Sequence, residues 1–271
     1  TISSLSPCAL NPPSFLTRHY SDRPVLPSSL VTTSGATSGL QLCASTLLDR
    51  RAVVFVEDPT YFIALSLLQG DLGLKVVPIP MDKEGIDVRQ LQLAVEKEKI
   101  EVEEGRSWAM VYTIPNYHNP TGITMSRERA RALLQLATRH DMLVFCDDVY
   151  NLLSYQEKAA DSFSRLRAVE EAEQSCVISN GSLSKVLAPG VRLGWIEASP
   201  AIVSRLSQSG VLQSGGSLNN LTSGLVTSLL SLGLLDTWLL HCRDQYRERM
   251  VAALAQLQHL PQGWQVEEPG G

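Results

Sequence analysis

Short apolar segments alternate with amphipathic ones along most of the 271-residue chain, and this alternation limits the fold more than any other feature of the sequence. Apolar runs of strand length predict strands at residues 53–57, 75–79, 109–114, 143–147, 176–179 and 192–198. Helical periodicity predicts helices that begin near Gly39 and that span residues 61–69, 88–98 and 126–139, with Ser126 as an N-cap. Short buried strands separated by helices form mostly parallel sheets covered on both faces, so the sequence predicts an α/β fold.

Composition and charge narrow the function classes. The chain is 44% hydrophobic with a formal net charge of −5, and it has no basic stretch, so a nucleic-acid partner is not expected. Residues 207–235 lack charge but are rich in glycine and asparagine, which argues against a membrane span. Residues 221–235 are predicted to form a buried or interface helix, and residues 235–257 a long charged helix.

The five cysteines are widely spaced without a CxxC pair. Widely spaced cysteines without such a pair are typical of proteins in a reducing compartment. We therefore expect a cytoplasmic location, with a mitochondrial one as the alternative.

One segment carries a distinctive chemistry. In Ser182-Leu-Ser-Lys-Val-Leu-Ala-Pro-Gly-Val-Arg192, a lysine stands among hydroxyl groups and an arginine follows it. Lysine condenses with carbonyl groups, and the planar guanidinium of arginine matches a phosphate. Together they suit an aldehyde cofactor that carries a phosphate. Taken alone, the segment is equally consistent with an exposed loop lysine, Lys185, beside a Pro-Gly turn and with Arg192 at the start of a strand.

Further polar motifs follow the predicted strands. Asn119-Pro-Thr-Gly122 and Asp147-Asp-Val-Tyr150 each come after a strand, and Asp58-Pro-Thr-Tyr61 comes after another, while Gly35-Ala-Thr-Ser-Gly39 opens a helix. Ligands of open α/β sheets bind at the carboxyl ends of the strands, so these motifs are expected to lie together.

In their residues and order, the motifs resemble the fold-type I pyridoxal-phosphate enzymes, specifically the class I/II aminotransferases. The phrases S-x-S-K-x-x-A-P-G-x-R-x-G-W and P-x-x-x-N-P-T-G carry the match, which is closest to the branch of 2-aminoadipate, kynurenine and aromatic aminotransferases. The resemblance implies a large domain built on a mostly parallel seven-stranded sheet, pyridoxal 5'-phosphate as cofactor, no metal site, and a role in amino-acid metabolism.

The resemblance also implies roles for individual residues. Lys185 would form the Schiff base and then move the proton at the substrate's α-carbon. Asp147 would pair with the pyridine nitrogen; Tyr150 lies three residues after it, as in the family, which favours Asp147 over Asp148. Tyr150 and Asn119 would bind the phenolic oxygen, and Tyr61 would stack on the ring. The phosphate would be bound by Ala36, Thr37, Ser182 and Arg192, with Ser184 as a neighbour that caps the turn.

The chain is expected to cover only the middle of a family member. We expect an irregular segment over residues 1–21, a cofactor-binding large domain over residues 22–235, and a linking helix with the start of a small C-terminal domain over residues 236–271. The arginine that binds the substrate's α-carboxylate in the family is expected to lie beyond Gly271. His118 is a common loop residue type and is given no role.

Three function hypotheses remain from the sequence. The first is an aminotransferase acting on an amino acid and a 2-oxo acid as a homodimer, with residues 215–235 at the subunit boundary. The second is a pyridoxal-phosphate-dependent lyase or decarboxylase on the same scaffold. The third is a truncated, catalytically incompetent isoform or the cofactor-binding module of a regulator.

Overall fold

The computed structural model describes residues 12–154, 165–170, 176–214 and 219–257 of the chain. Its centre is an eight-stranded sheet with the strand order β1-β8-β7-β6-β5-β2-β3-β4. The strands are β1 (Leu30–Thr33), β2 (Leu48–Asp58), β3 (Lys75–Asp82), β4 (Gly85–Ile86), β5 (Ser107–Thr113), β6 (Leu143–Asp147), β7 (Val177–Ser182) and β8 (Gly194–Glu197). The expected count of seven is exceeded by one because β4 is a two-residue strand that pairs only with the end of β3.

The central strands are parallel and the edges are not. β3, β2, β5, β6 and β7 run parallel, whereas β8 pairs antiparallel with both β7 and β1. This confirms the predicted mostly parallel α/β sheet.

Ten helices are described around the sheet. They are α1 (Pro12–Tyr20), α2 (Ala36–Leu47), α3 (Phe62–Leu65, continued by a π-helical turn over Ser66–Asp71), α4 (Val88–Glu98), α5 (Arg127–Arg139), α6 (Leu166–Val169), α7 (Pro200–Ser207), α8 (Gly210–Gln213), α9 (Asn220–Ser231) and α10 (Leu234–Leu257). The expected N-cap of α5 is confirmed, since the Ser126 hydroxyl accepts from the backbone N–H of Arg129 at 3.1 Å.

Two apolar clusters cover the faces of the sheet. Alternate residues of β2 point to opposite faces, so that Val54 packs with α2 and α7, and Phe55 packs with α4 and α5. A third cluster joins α1, α9 and α10 to the loops that follow β6 and β7. Each fully buried large aliphatic or aromatic side chain contributes about 2 kcal/mol to such a core.

Three predictions of local structure need correction. The irregular segment expected over residues 1–21 is wrong for Pro12–Tyr20, which form a helix because Phe15, Leu16 and Tyr20 are buried in the third cluster. The strand expected at residues 192–198 begins only at Gly194, because Arg192 has a φ of 46° and ends a 3₁₀ turn. The N-terminal strand β1 was not predicted, since four residues carry too little of a pattern.

The helices α9 and α10 meet at Gly233. Its φ of 68° favours glycine, and the two helices are bent by 85° there. Within the described ranges no single helix has the length and hydrophobicity to cross a membrane; only this bent pair does so, by length and composition, when its two helices are taken together.

Candidate active site

The predicted site residues meet in one cavity at the carboxyl edge of the parallel strands. The cavity has a volume of about 230 Å³ and lies where β5, β6 and β7 end and α2 begins. Every residue assigned from the sequence lines it: Ala36, Thr37, Tyr61, Asn119, Asp147, Tyr150, Ser182, Lys185 and Arg192. Residues that are up to 156 positions apart are thus brought together because parallel strands end at the same edge of the sheet.

Asp147 forms the polar floor of the cavity. As the last residue of β6 it is 9% exposed, and its carboxylate accepts from the Tyr112 hydroxyl at 2.8 Å and from the Asn180 amide at 3.2 Å. Burial raises the pKa of Asp147 to about 6, although both hydrogen bonds and the charge of Lys185 oppose that rise. A cationic partner in the cavity would offset this cost, so the carboxylate suits a protonated ring nitrogen.

Tyr112 and Asn180 were missed by the sequence analysis. Asn180 pairs with Asp147 in the register of β6 and β7, and its amide also donates to the Ala36 carbonyl at 3.1 Å, which links α2 to the cavity floor. Burial raises the pKa of Tyr112, so its hydroxyl stays a donor to Asp147. For Tyr112 the available signal was a hydroxyl group inside an otherwise apolar strand; Asn180, which stands between Ser179 and Gly181, had no comparable signal.

Asp148 does not share this position. Its side chain is buried outside the cavity lining and accepts from the Ser179 hydroxyl. Burial raises the pKa of Asp148 to about 6 as well. The structure therefore separates the two neighbouring carboxylates, and only Asp147 faces the cavity.

Tyr150 and Asn119 approach each other from two loops. The Asn119 amide donates to the Tyr150 hydroxyl at 3.5 Å, and burial raises the pKa of Tyr150. Both groups can donate to an oxygen placed between them. Tyr61 precedes α3, lines the same cavity and contacts Phe62 edge to face.

A cluster of donors forms the opposite end of the cavity. Gly35 precedes α2 and has no side chain to cap its first turn. The backbone N–H groups of Ala36 and Thr37 therefore lie uncapped at the positive end of the helix. The Arg192 guanidinium donates to the Ser34 carbonyl at 3.0 Å and to the Ser184 hydroxyl at 3.4 Å. The Ser182 hydroxyl donates to the Ser184 hydroxyl at 3.0 Å and accepts from the Ser184 backbone N–H at 3.1 Å, so Ser182 rather than Ser184 caps this turn.

Gly35 shows how tightly this cluster is built. Its φ is 94°, and a Cβ placed there would lie 2.5 Å from a terminal nitrogen of Arg192. The backbone and the guanidinium are therefore close enough to bind one small anion together. The residues present fit a pyridine ring that carries a phosphate: an acid at one end, anion donors at the other, and exposed Lys185 beside them.

Comparison with known proteins agrees with this geometry. The family model "Aminotransferase class I and II" matches residues 16–271. The chain belongs to the class I and II aminotransferases. The match begins before residue 22, where the sequence predicted the large domain to start, and it includes the second half of α1.

Individual relatives include aminotransferases and a transcriptional regulator. Aromatic-amino-acid aminotransferase 1 of Thermococcus litoralis is 31% identical over all of this chain and 63% of its own length. The kynurenine aminotransferase structure of Pyrococcus horikoshii is 28% identical with a TM-score of 0.82, over 100% of this chain and 64% of that one. YisV of Bacillus subtilis, an uncharacterized HTH-type transcriptional regulator, is 31% identical over 85% of this chain and 44% of its own length. The chain thus spans less than two thirds of each of these relatives.

Proposed function

We propose that the chain is the cofactor-binding part of a pyridoxal-phosphate-dependent aminotransferase that moves an amino group from an amino acid to a 2-oxo acid. The observation that carries the proposal is the common cavity of Lys185, Asp147 and Arg192. Pyridoxal phosphate, when bound, supplies an aldehyde that condenses with amines and a ring that withdraws electrons from the substrate's α-carbon. The remaining steps depend on side chains of this chain.

Lys185 performs two steps in this proposal. Its exposed Nζ would hold the cofactor covalently, and as a free amine the same atom would accept the proton that leaves the substrate's α-carbon. Asp147 keeps the ring nitrogen protonated, and Tyr112 and Asn180 orient its carboxylate. Removing a carboxylate from this position weakens electron withdrawal by the ring.

The other residues orient the cofactor. Tyr150 and Asn119 donate to its phenolic oxygen, and Tyr61 stacks on the ring face. Ala36 and Thr37 at the start of α2, with Ser182 and Arg192, bind the phosphate.

A regulatory module is the second candidate. It is favoured by the 31% identity to the Bacillus subtilis regulator, in a match that covers 85% of this chain. Such a module would bind pyridoxal phosphate through the same residues without completing transfer to a 2-oxo acid. No observation favours the lyase or decarboxylase hypothesis.

We also propose that the chain acts as a homodimer, as is typical of the family, in a reducing compartment. The exposed leucines Leu221 and Leu225 of α9, Leu232 after α9 and Leu234 at the start of α10 support the first point. The described cysteines are all free, which supports the second: Cys43, Cys146, Cys176 and Cys242. The cytoplasm is the compartment we propose, with mitochondria as the alternative.

The covalent step is tested directly. The purified chain is mixed with pyridoxal 5'-phosphate, reduced with borohydride and digested, and the adduct is located by mass spectrometry. We expect the adduct on Lys185 and its loss in Lys185→Ala, while Lys83→Ala, which removes another exposed lysine, retains it. An unmodified Lys185 in the wild type would overturn the proposal.

A second measurement separates the two candidates. An aminotransferase converts the bound cofactor to its amine form with an amino acid and restores the aldehyde form with a 2-oxo acid, and both changes are visible by absorbance. A regulatory module would bind the cofactor but would not complete this cycle.

A further inference from the structure

A buried glutamate and a buried histidine lie behind the loop that carries Asn119. Glu57 is the penultimate residue of β2, and His118 immediately precedes Asn119. Each side chain is 1% exposed, and His118 Nε2 lies 3.1 Å from Glu57 Oε2. We call these two residues the Glu57–His118 pair. Neither belongs to the lining of the cavity, so the pair acts on the cavity only through other residues.

Glu57 fixes one end of this contact to the sheet. Its Oε1 accepts from the Thr113 hydroxyl at 2.6 Å, and its Oε2 accepts from the backbone N–H of Ile114 at 2.9 Å. Thr113 is the last residue of β5, so the carboxylate joins the ends of β2 and β5. Because both donors and the imidazole converge on one carboxylate, its position is determined independently of the loop.

His118 transmits that position to the Asn119 turn. Its Nδ1 lies 2.8 Å from the Thr121 hydroxyl, on the far side of the ring from Glu57. Its backbone N–H donates to the Ile123 carbonyl at 2.9 Å, and its carbonyl accepts from Gly122 at 2.6 Å. The imidazole therefore lies between the sheet and the turn that contains Asn119, and it contacts both.

Asn119 itself has few restraints of its own. Its side-chain amide donates to the Tyr150 hydroxyl over a long distance of 3.5 Å. A side chain that must meet an incoming oxygen benefits from a backbone already held in position, because binding then does not have to order it.

We propose that the Glu57–His118 pair is a positioning pair that holds the Asn119 amide where it donates to the phenolic oxygen of bound pyridoxal phosphate. This inference rests on the proposed function and adds two residues that the reaction needs without their touching the cofactor. The competing interpretation is that the pair only stabilises the fold, as many buried polar pairs do.

The two interpretations differ in the cofactor's spectrum. Donors to the phenolic oxygen stabilise its anion and lower the pKa of the imine, which is measured as the midpoint of the absorbance change with pH. We expect His118→Leu to raise this midpoint by about 0.5 to 1 pH unit. Asn119→Ala is expected to raise it at least as far, and the double variant no further, because both changes remove the same interaction.

Conservative variants test the contact itself. His118→Gln retains an N–H group that can reach Glu57, so we expect its midpoint to return toward that of the wild type. Glu57→Gln retains the shape of the side chain but not its charge, and we expect it to resemble His118→Leu. The dissociation constant for pyridoxal 5'-phosphate, measured by fluorescence, is expected to rise about tenfold in Glu57→Gln and in His118→Leu and to stay near the wild-type value in His118→Gln.

Val95→Ala is the matched control. Val95 is fully buried on α4 in the second apolar cluster, on the same face of the sheet as Glu57, and it makes none of the hydrogen bonds of the Asn119 turn. Its truncation should lower the melting temperature and leave those hydrogen bonds in place. If His118→Leu lowers the melting temperature as Val95→Ala does and leaves the midpoint unchanged, the positioning role is overturned and the proposed function stands. If the wild type shows no cofactor absorbance band, both are overturned.

Hydrogen exchange of the cofactor-free protein tests the positioning role without the cofactor's absorbance. We expect amide hydrogens at residues 118 and 122 to exchange faster in His118→Leu than in Val95→Ala, because both amides donate within the turn that the imidazole contacts. Equal exchange in the two variants would contradict the positioning role.

Discussion

Asp147 shows how one buried acid connects stability to function. Its carboxylate is withdrawn from water at the end of β6, and burial raises its pKa to about 6. In the unfolded chain an aspartate ionises near pH 4, so in the native state ionisation is disfavoured between these values. This free-energy cost of ionising Asp147 in the cofactor-free protein is expected when a carboxylate is buried where a cationic ring would bind.

This cost predicts a pH dependence. Because the native state of the cofactor-free protein binds the proton more tightly, the contribution of Asp147 to stability falls as pH rises from about 4 through about 6 and stays low above. Asp147→Asn removes that titration, so its unfolding free energy should gain about 1 to 3 kcal/mol relative to the wild type between pH 4 and pH 8. Denaturant unfolding of both proteins at the two pH values measures the difference. A difference that does not change with pH would contradict the assignment.

At the scale of elements, α10 holds two of the site's loops. The Trp238 indole N–H donates to the Val186 carbonyl at 2.8 Å, directly after Lys185, and Arg243 Nε donates to the Leu152 carbonyl at 2.8 Å, two residues after Tyr150. This helix thus contacts both the loop that carries Lys185 and the loop that carries Tyr150. It also contacts α1, whose Arg18 forms an ion pair with Asp236 of α10 at 2.8 Å.

Trp238→Phe tests this connection. It removes one hydrogen bond, worth about 1 kcal/mol, while keeping most of the aromatic area. Trp108→Phe is the matched control, because that indole also donates to a backbone carbonyl, of His140, at 2.7 Å, but far from the cavity. Both variants should lose stability in thermal unfolding, Trp108→Phe more so, because Trp108 is 5% exposed and Trp238 is 43% exposed. Only Trp238→Phe should weaken pyridoxal phosphate binding, by about threefold to tenfold; equal affinities would indicate that α10 has no influence on the site.

At the scale of the whole molecule, apolar surface is concentrated on α9 and the start of α10. Leu221 is 80% exposed, Leu225 61% and Leu232 70%, whereas Val226 of α9 and Leu239 of α10 are buried in the third cluster. Exposed apolar patches of this kind mark sites of protein association. They fall within the uncharged segment expected at a subunit boundary, which supports the homodimer proposal.

A charge placed on this patch tests the dimer. Leu225→Asp should shift the protein from dimer to monomer in gel filtration or sedimentation, because association would bury the new carboxylate. Leu93→Asp is the control, since Leu93 on α4 is equally exposed at 61% but lies away from the patch. If Leu225→Asp and the wild type elute identically, α9 does not form the boundary.

Much of the fold could be predicted from the sequence because the signal was local. The limits of α4 and β6 were predicted to the residue, since α4 has a periodic apolar pattern that begins after the N-cap Asp87, and β6 is a short apolar run that ends at Asp147. The helix α1 could not be predicted in the same way, because its short apolar face is explained only by α10 and the loops it packs against. The break between α9 and α10 depended on the backbone conformation at Gly233.

The candidate site shows the same difference between local signals in the sequence and contacts that form only in the folded chain. The sequence by itself determined the residue types and their order, because an amine, an acid and an anion-binding arginine are recognisable wherever they stand, and nine residues named from motifs line one cavity. The spacing to Tyr150 already favoured Asp147 over Asp148. Only the tertiary structure decided that Tyr112 and Asn180 hold the acid, and that Glu57 and His118 lie behind Asn119. Those contacts join residues from different strands and depend on register and burial, which no segment of the chain contains alone.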